Sequence, residues 1–235
     1  MNTMPGKQRF RPIEVSRRVV LIAPLTLMLL AASTVALVSP EITQAIQYDR
    51  TAIFAGQLWR MVTGHLAHWN LEHWFWDAAM FGLLGAMCER RGRSRYAVCL
   101  LASAGLISLG VWHLSAEMAT YRGLSGVDSA LFGLLAAAMW REQRTAGQRR
   151  WAPVIVTLVL GFAAKIGYEL ISAQTVFVNA GAANFIPVPV AHIVGFAVGV
   201  VVGAVPDGIQ QAARRLLTSW SCGARAGCSR RRVRS

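Results

Sequence analysis

The stretch "VVLIAPLTLMLLAASTVALVS", residues 19–39, carries no charged side chain over 21 positions. A helix needs about 20 apolar residues to cross a hydrocarbon core roughly 30 Å thick. The stretch therefore reads as a transmembrane helix and places the chain among membrane proteins. The alternative is a secretory leader, with "STVALVSPE" as its cleavage site. A leader core runs only about 7–15 residues, and further apolar blocks follow here. Composition agrees with the membrane reading. The 235 residues are 54% hydrophobic and 15% charged, against about 25% charged in a soluble domain.

Working outward, five more blocks have helical length and apolar content. The expected helices are 18–39, 71–88, 96–114, a short 125–140, 153–172 and 189–205. Pro153 sits at a first turn, where its missing N–H does no harm. The fold class is all-α: a polytopic bundle of six transmembrane helices.

The net charge of +13 invites a nucleic-acid reading, but its distribution argues against one. Basic residues cluster in short segments between apolar blocks, as the positive-inside bias requires. Segments 1–18, 89–95, 141–150 and 207–235 hold 20 of the 24 lysines and arginines. Only Arg50, Arg60 and Arg122 fall in the opposite loops, and Lys165 lies inside the fifth helix. This asymmetry puts both termini in the cytoplasm. The tail at 207–235 reads as an anchor on anionic lipid. Four cysteines without a CxxC spacing make neither a disulfide framework nor a zinc site. Cys88 and Cys99 belong to apolar helices, while Cys222 and Cys228 lie in the basic tail.

Ionisable groups inside spans are costly and are functional candidates by default. Here they are His73 and Asp77 on the second helix, Asp128 on the fourth, Lys165 and Glu169 on the fifth, and His192 on the sixth. His113 ends the third helix, where a solvated interfacial place is expected. Ser125 lies between Gly123 and Gly126 at the outer end of the fourth helix. A serine becomes a nucleophile only with a base in hydrogen-bond reach. His192, about one turn into the sixth helix, lies at equal depth. Gly195 and Gly199 follow it on one stripe, a spacing that permits close helix approach. The pair also fits a plain structural role, with a serine cap and a histidine bonded to a carbonyl. His73 and Asp77 share a face at i, i+4. Imidazole N–H from His73 and the backbone N–H of Ser125 could face a tetrahedral oxyanion. The rival is a metal site from His65, His68 and His73, although no HExxH occurs.

Four pieces, in order, resemble the rhomboid family of intramembrane serine proteases over residues 59–207. "WR" at Trp59–Arg60 is similar to the first-loop motif. "HLAHWNLEHWFWD" resembles H-x-x-x-x-H-x-x-x-N, with His68, His73 and Asp77 at matching positions. "GLSG", residues 123–126, resembles the nucleophile motif G-x-S-G. "AHIVGFAVG", residues 191–199, resembles the A-H-x-x-G-x-x-x-G of the last core helix. Residues 48–73 and "AKIGYEL" at 164–170 look most like rhombosortases, bacterial rhomboids thought to process proteins with a glycine-rich C-terminal sorting tail.

The resemblance implies a dyad of Ser125 and His192 with no third acidic member. It also implies His73 at the oxyanion, supported by His68, Asp77, Gly123 and Gly126, and no cofactor or metal. It implies a cytoplasmic N-terminus at 1–18, a rhomboid-like six-helix domain at 19–206 and a cytoplasmic tail at 207–235. The location is the bacterial inner membrane. The expected partners are the lipid bilayer and transmembrane or membrane-tethered protein substrates. The first loop, 41–70, should lie partly in the interface, with Trp59, Trp69, Trp74 and Trp76 near headgroup depth.

Two departures stand out. The family places asparagine where this chain has Asp77, which would repel an oxyanion unless protonated, or else orients His73 or a water. At Ser129 many members carry an aromatic beside the histidine. Asp128 is open between meeting Lys165 and lining the cavity. Lys165 and Glu169 read as a mutually neutralising pair, or as a grip on the substrate tail. Two rival functions stay open: a catalytically inactive rhomboid-like binder of membrane helices, and a transporter using the intramembrane charges as a proton path. The second lacks an inverted repeat or paired broken helices.

Overall fold

The computed structural model describes residues 23–176, 178 and 188–206. Segments 1–18 and 207–235, with Cys222 and Cys228, lie outside the described residues, as does the start of the first expected helix. Within them the chain forms α1 (Pro24–Val38), α2 (Pro40–Ile46), β1 (Tyr48–Asp49), α3 (Arg50–Phe54), α4 (Arg60–Thr63), α5 (Leu71–Arg91), α6 (Arg93–Leu114), β2 (Thr120–Tyr121), α7 (Ser125–Thr145), α8 (Ala152–Ser172) and α9 (Pro189–Ala204).

The surface departs from that of a water-soluble bundle, and polar groups join the apolar core. Leu101, Leu158, Leu160 and Val201 are exposed, whereas Ser33, Ser103, Ser108, Glu89, Asp128 and Glu169 are buried. An apolar skin around a polar-dotted interior suits a lipid solvent. Among the described residues, α6 and α8 are long and apolar enough to cross a membrane, and the bent pair α1–α2 makes a third. Apolar α9 has only 16 residues. Helices α5 and α7 interrupt their apolar runs with Glu72, His73 and Asp77, and with Asp128 and a charged end. Length and composition thus support two or three spans, fewer than the six expected. Helix α7 is also not short. It runs 21 residues to Thr145, because Arg141, Glu142 and Arg144 continue it as good helix formers beyond the apolar block. Helix α5 likewise continues through Glu89, Arg90 and Arg91.

Helix α1 begins at Pro24, and its free N–H groups are met by a side chain far along the chain. Glu89 Oε1 accepts from Leu25 N at 3.1 Å, and Oε2 accepts from Thr26 N at 3.0 Å and Thr26 Oγ1 at 2.9 Å. An acidic group at a helix N-terminus satisfies orphan donors and meets the positive end of the dipole. This explains how a glutamate with 2% exposure persists. After α1 the chain turns by 117° into α2. Ser39 caps α2 by accepting from Ile42 N at 3.4 Å.

The first loop is tied down by the arginines that the positive-inside count leaves on this side. Arg50 donates to the carbonyls of Val111, Trp112, Ser115 and Met118, so it closes the C-terminal end of α6. Arg60 Nη1 donates to Gln44 O at 2.7 Å and Gln47 O at 3.0 Å. Strand β1 then pairs with β2, Tyr48 opposite Tyr121. That short ladder fixes the segment entering α7.

Helix α7 is the hub, packed on α5, α6, α8 and most extensively on α9. Gly195, Gly199 and Gly203 of α9 lie against the carbonyl oxygens of Gly126, Ala130 and Leu134 of α7. A Cβ on Gly203 would stand 2.7 Å from Leu134 O, and those on Gly195 and Gly199 would collide with Gly126 O and Ala130 O outright. The four-residue spacing is the small-xxx-small device of membrane helix pairs. Gly199→Val is expected to lower stability by roughly 1–3 kcal/mol through overpacking. Gly105→Val, where an added Cβ meets nothing within 4 Å, should change it little. Thermal unfolding of detergent-solubilised protein checks the contrast.

Candidate active site

Ser125 is the first residue of α7, and His192 lies one turn into α9. The glycine-mediated approach of these helices brings His192 Nε2 to 3.1 Å from Ser125 Oγ. Gly126 contributes to that approach, since a Cβ there would lie 3.1 Å from Ala191 O, next to His192. Gly123 has φ +125°, a left-handed value that glycine alone adopts without strain. A Cβ on it would also stand 2.8 Å from His73 Nε2 and 3.1 Å from Asp77 Oδ2. The two glycines therefore serve clearance on opposite sides of the serine.

On α5, Asn70 caps the helix by accepting from His73 N at 2.9 Å. Asp77 then lies one turn beyond His73. Its Oδ2 is the meeting point of four donor groups. It accepts from Leu124 N at 2.8 Å and Ser125 N at 3.1 Å. It also lies 3.1 Å from His68 Nε2 and 3.3 Å from His73 Nε2. Asp77 thus caps the start of α7 from a neighbouring helix and steadies both histidines. An oxygen receiving two backbone N–H bonds is an acceptor toward the serine loop. Of the readings open for Asp77, orienting His73 fits this oxygen, which lies 3.3 Å from the ring. The expected pair of oxyanion donors, His73 and the Ser125 N–H, is likewise turned onto this carboxyl.

The largest correction concerns His192. The family resemblance implied no third acidic member. In the structure Glu169 Oε2 lies 3.0 Å from His192 Nδ1. Glu169 is also bound to Lys165 Nζ through Oε1 at 2.8 Å, and Lys165 Nζ stands 3.3 Å from His192 Nδ1. The i, i+4 pair of α8 does form, as spacing implies, but it opens onto the imidazole rather than closing on itself. Intramembrane position was the available signal, and reading the pair as self-sufficient hid its third contact.

Asp128 does not join Lys165. It is buried on the cavity wall, and its Oδ1 has no hydrogen-bond partner among the described residues. Ser129, one turn after Ser125, donates through Oγ to Ser125 O at 2.8 Å. His65 turns away from His68 and His73, toward Ala104 O at 3.0 Å on α6. Among the described residues no group of three His, Cys, Asp or Glu is placed to hold a metal ion. His113 is exposed at the end of α6. Arg122 of the approach loop lies 4.3 Å over the Trp69 ring and donates to Gln47 Oε1 at 2.8 Å. Trp59 and Trp76 are 55% and 42% exposed, which fits residues that meet an interface.

Ser125 and His192 open on a cavity of about 1200 Å³ between α5, α7 and α8. Its walls are mainly apolar, with Trp76 and Met80 from α5, Phe132 from α7, and Phe162 and Tyr168 from α8. The hydroxyl–imidazole pair lies on its wall.

A sequence model of the family described as Rhomboid domain matches residues 55–206. No curated protein matches the chain.

Removing the Asp77 carboxyl leaves two buried backbone donors without a partner. Asp77→Ala is expected to cost roughly 2–4 kcal/mol of stability, since each unsatisfied buried donor costs about 1–3 kcal/mol. Asp77→Asn retains an acceptor oxygen of the same reach and should cost well under half of that. Thermal unfolding of the two variants side by side tests the capping role.

Proposed function

Because the chain belongs to the rhomboid family, whose members are generally intramembrane serine proteases, we propose that it is an intramembrane serine endopeptidase acting through Ser125 and His192. The observation that carries this reading is the 3.1 Å contact between Ser125 Oγ and His192 Nε2 on the wall of a mainly apolar cavity of about 1200 Å³. That distance is within the reach a general base needs.

The chemistry follows from these atoms. Ser125 Oγ attacks the carbonyl carbon of the scissile peptide while His192 Nε2 takes the hydroxyl proton. The carbonyl oxygen carries the negative charge of the tetrahedral intermediate. As the C–N bond breaks, His192 returns that proton to the departing amine nitrogen, leaving an ester on Ser125. A water then attacks the ester, giving its proton to His192. The C–Oγ bond breaks, a carboxylic acid leaves, and the proton returns to Ser125 Oγ.

The nearest oxyanion donors are His73 Nε2 and Ser125 N, and Asp77 Oδ2 already sits on both. An incoming oxyanion must share or displace that oxygen. This one contact favours a second reading, a rhomboid-like protein that binds membrane helices without cutting them. The intact pair of Ser125 and His192 favours the protease, since a binder needs neither.

Substrates of this reading are transmembrane or membrane-tethered proteins, and the apolar cavity walls suit such segments. The rhombosortase likeness of residues 48–73 and 164–170 extends the proposal to C-terminal sorting tails. The charge asymmetry supports six crossings of a bacterial inner membrane with both termini in the cytoplasm. A phosphatase reporter fused to the C-terminus should be inactive, and a cytoplasmic reporter at the same point active; the reverse pattern overturns the orientation.

A serine-directed fluorophosphonate is expected to label the full chain in detergent, and to label neither Ser125→Ala nor His192→Ala. Equal labelling of all three removes the assignment, and absence of labelling in the parent chain favours the binder. Asp77→Asn takes a negative charge away from where the oxyanion develops, so its labelling rate should equal or exceed that of the parent. Complete loss would give the carboxyl a task of its own.

A further inference from the structure

Neutral imidazole carries one proton, on Nδ1 or on Nε2. His192 can accept the Ser125 hydroxyl proton only when its own proton is on Nδ1. The neighbours of Nδ1 therefore decide whether the pair works. Two groups compete for it, and both come from one face of α8. Glu169 Oε2, an acceptor, stands at 3.0 Å and requires Nδ1–H. Lys165 Nζ, a donor, stands at 3.3 Å and would require a bare Nδ1. In that second state Nε2 bears the proton and cannot serve as the base.

The geometry resolves the competition. Lys165 makes its shorter contact, 2.8 Å, with Glu169 Oε1, so its ammonium is turned toward the carboxyl. Glu169 is 2% exposed, and His192 is 6% exposed. Both oxygens of a buried carboxyl are thus used, one on a cation and one on the ring. Its place comes from the helix rather than from a loop, because residues 165 and 169 stack one turn apart.

We propose that Glu169 is a positioning residue that completes a Ser125–His192–Glu169 triad, with Lys165 as the clamp on its second oxygen. The inference rests on the reading of Ser125 as nucleophile. Glu169 holds the ring with Nδ1–H pointed at Oε2, which leaves Nε2 bare toward Ser125 Oγ. When Nε2 takes the serine proton, the ring becomes a cation, and Glu169 lies at hydrogen-bond distance from it. No proton passes to the carboxyl, so the balance of the reaction is unchanged. The same division of labour operates in soluble serine hydrolases.

The test uses the full chain in detergent and a fluorophosphonate probe, with the inactivation rate constant kinact and the apparent affinity KI resolved from a concentration series. Glu169→Gln keeps the shape and loses the charge. It is expected to lower kinact roughly 10²-fold, the low end of what general acid–base assistance contributes, with KI and the unfolding temperature unchanged. Lys165→Met breaks the same ion pair but leaves the carboxyl on the ring, and should lose far less. Glu169→Asp retains a carboxyl one methylene further off and should label faster than Glu169→Gln, which keeps the comparison open if the Gln variant accumulates poorly. Ser125-dependent labelling at the parent rate in Glu169→Gln overturns the proposal and leaves the nucleophile standing. Equal losses in Lys165→Met and Glu169→Gln, or a loss confined to KI or to unfolding temperature, reduce Glu169 to packing and overturn it as well. Absence of Ser125-dependent labelling in the parent chain removes the nucleophile and the proposal with it.

Discussion

Everything near the serine depends on two backbones lying almost in contact. Three glycines of α9 face three carbonyl oxygens of α7, with no side chain between them. In lipid there is little hydrophobic gain from putting helices together, so shape and close dispersion contact must hold them. The consequence reaches beyond stability. Ser125 and His192 sit at the N-terminal ends of these helices, and a rigid seam along their length fixes how far apart the two side chains stand. A spacing set by bare backbone is harder to perturb than one set by side-chain rotamers, which is what a proton-transfer pair requires.

The two buried carboxyls beside this seam do opposite work. Asp77 lies on the α5 side and gathers N–H groups onto one oxygen, fixing the serine loop and two imidazoles. Glu169 lies on the α8 side and addresses only the far nitrogen of His192 and a lysine. One orders the floor of the site while holding negative charge where reaction charge would build. The other holds negative charge where the histidine would become positive. The family's asparagine in place of Asp77 separates these effects, since an amide can cap α7 without that charge.

What the sequence made legible was set by local rules. Helix positions followed from apolar block length, and Ser125 with His192 followed from equal depth and flanking glycines. Gly195 and Gly199 declared the close helix pair through their spacing alone. What stayed hidden depended on contacts between distant segments. The helix-five pair Lys165 and Glu169 looked complete in one dimension, because i, i+4 neighbours satisfy each other on paper. Only the packing of α8 beside α9 shows the spare oxygen. For Asp128 the sequence left open a bond to Lys165 or a place on the cavity wall, and the structure puts it on the wall. The charged ends of α5 and α7 were cut short for a similar reason: hydropathy marks where lipid stops, not where a helix does.

Glu89 gives the molecule an assembly order. It lies 63 residues after Thr26, whose backbone N–H it receives. At translation speeds of about 5–20 residues per second, that gap is roughly 3–12 s. Until then the donors at the start of α1 lack this partner, a state that water or headgroups accept more readily than hydrocarbon. The start of α1 is complete only once α5 supplies the carboxyl that caps it.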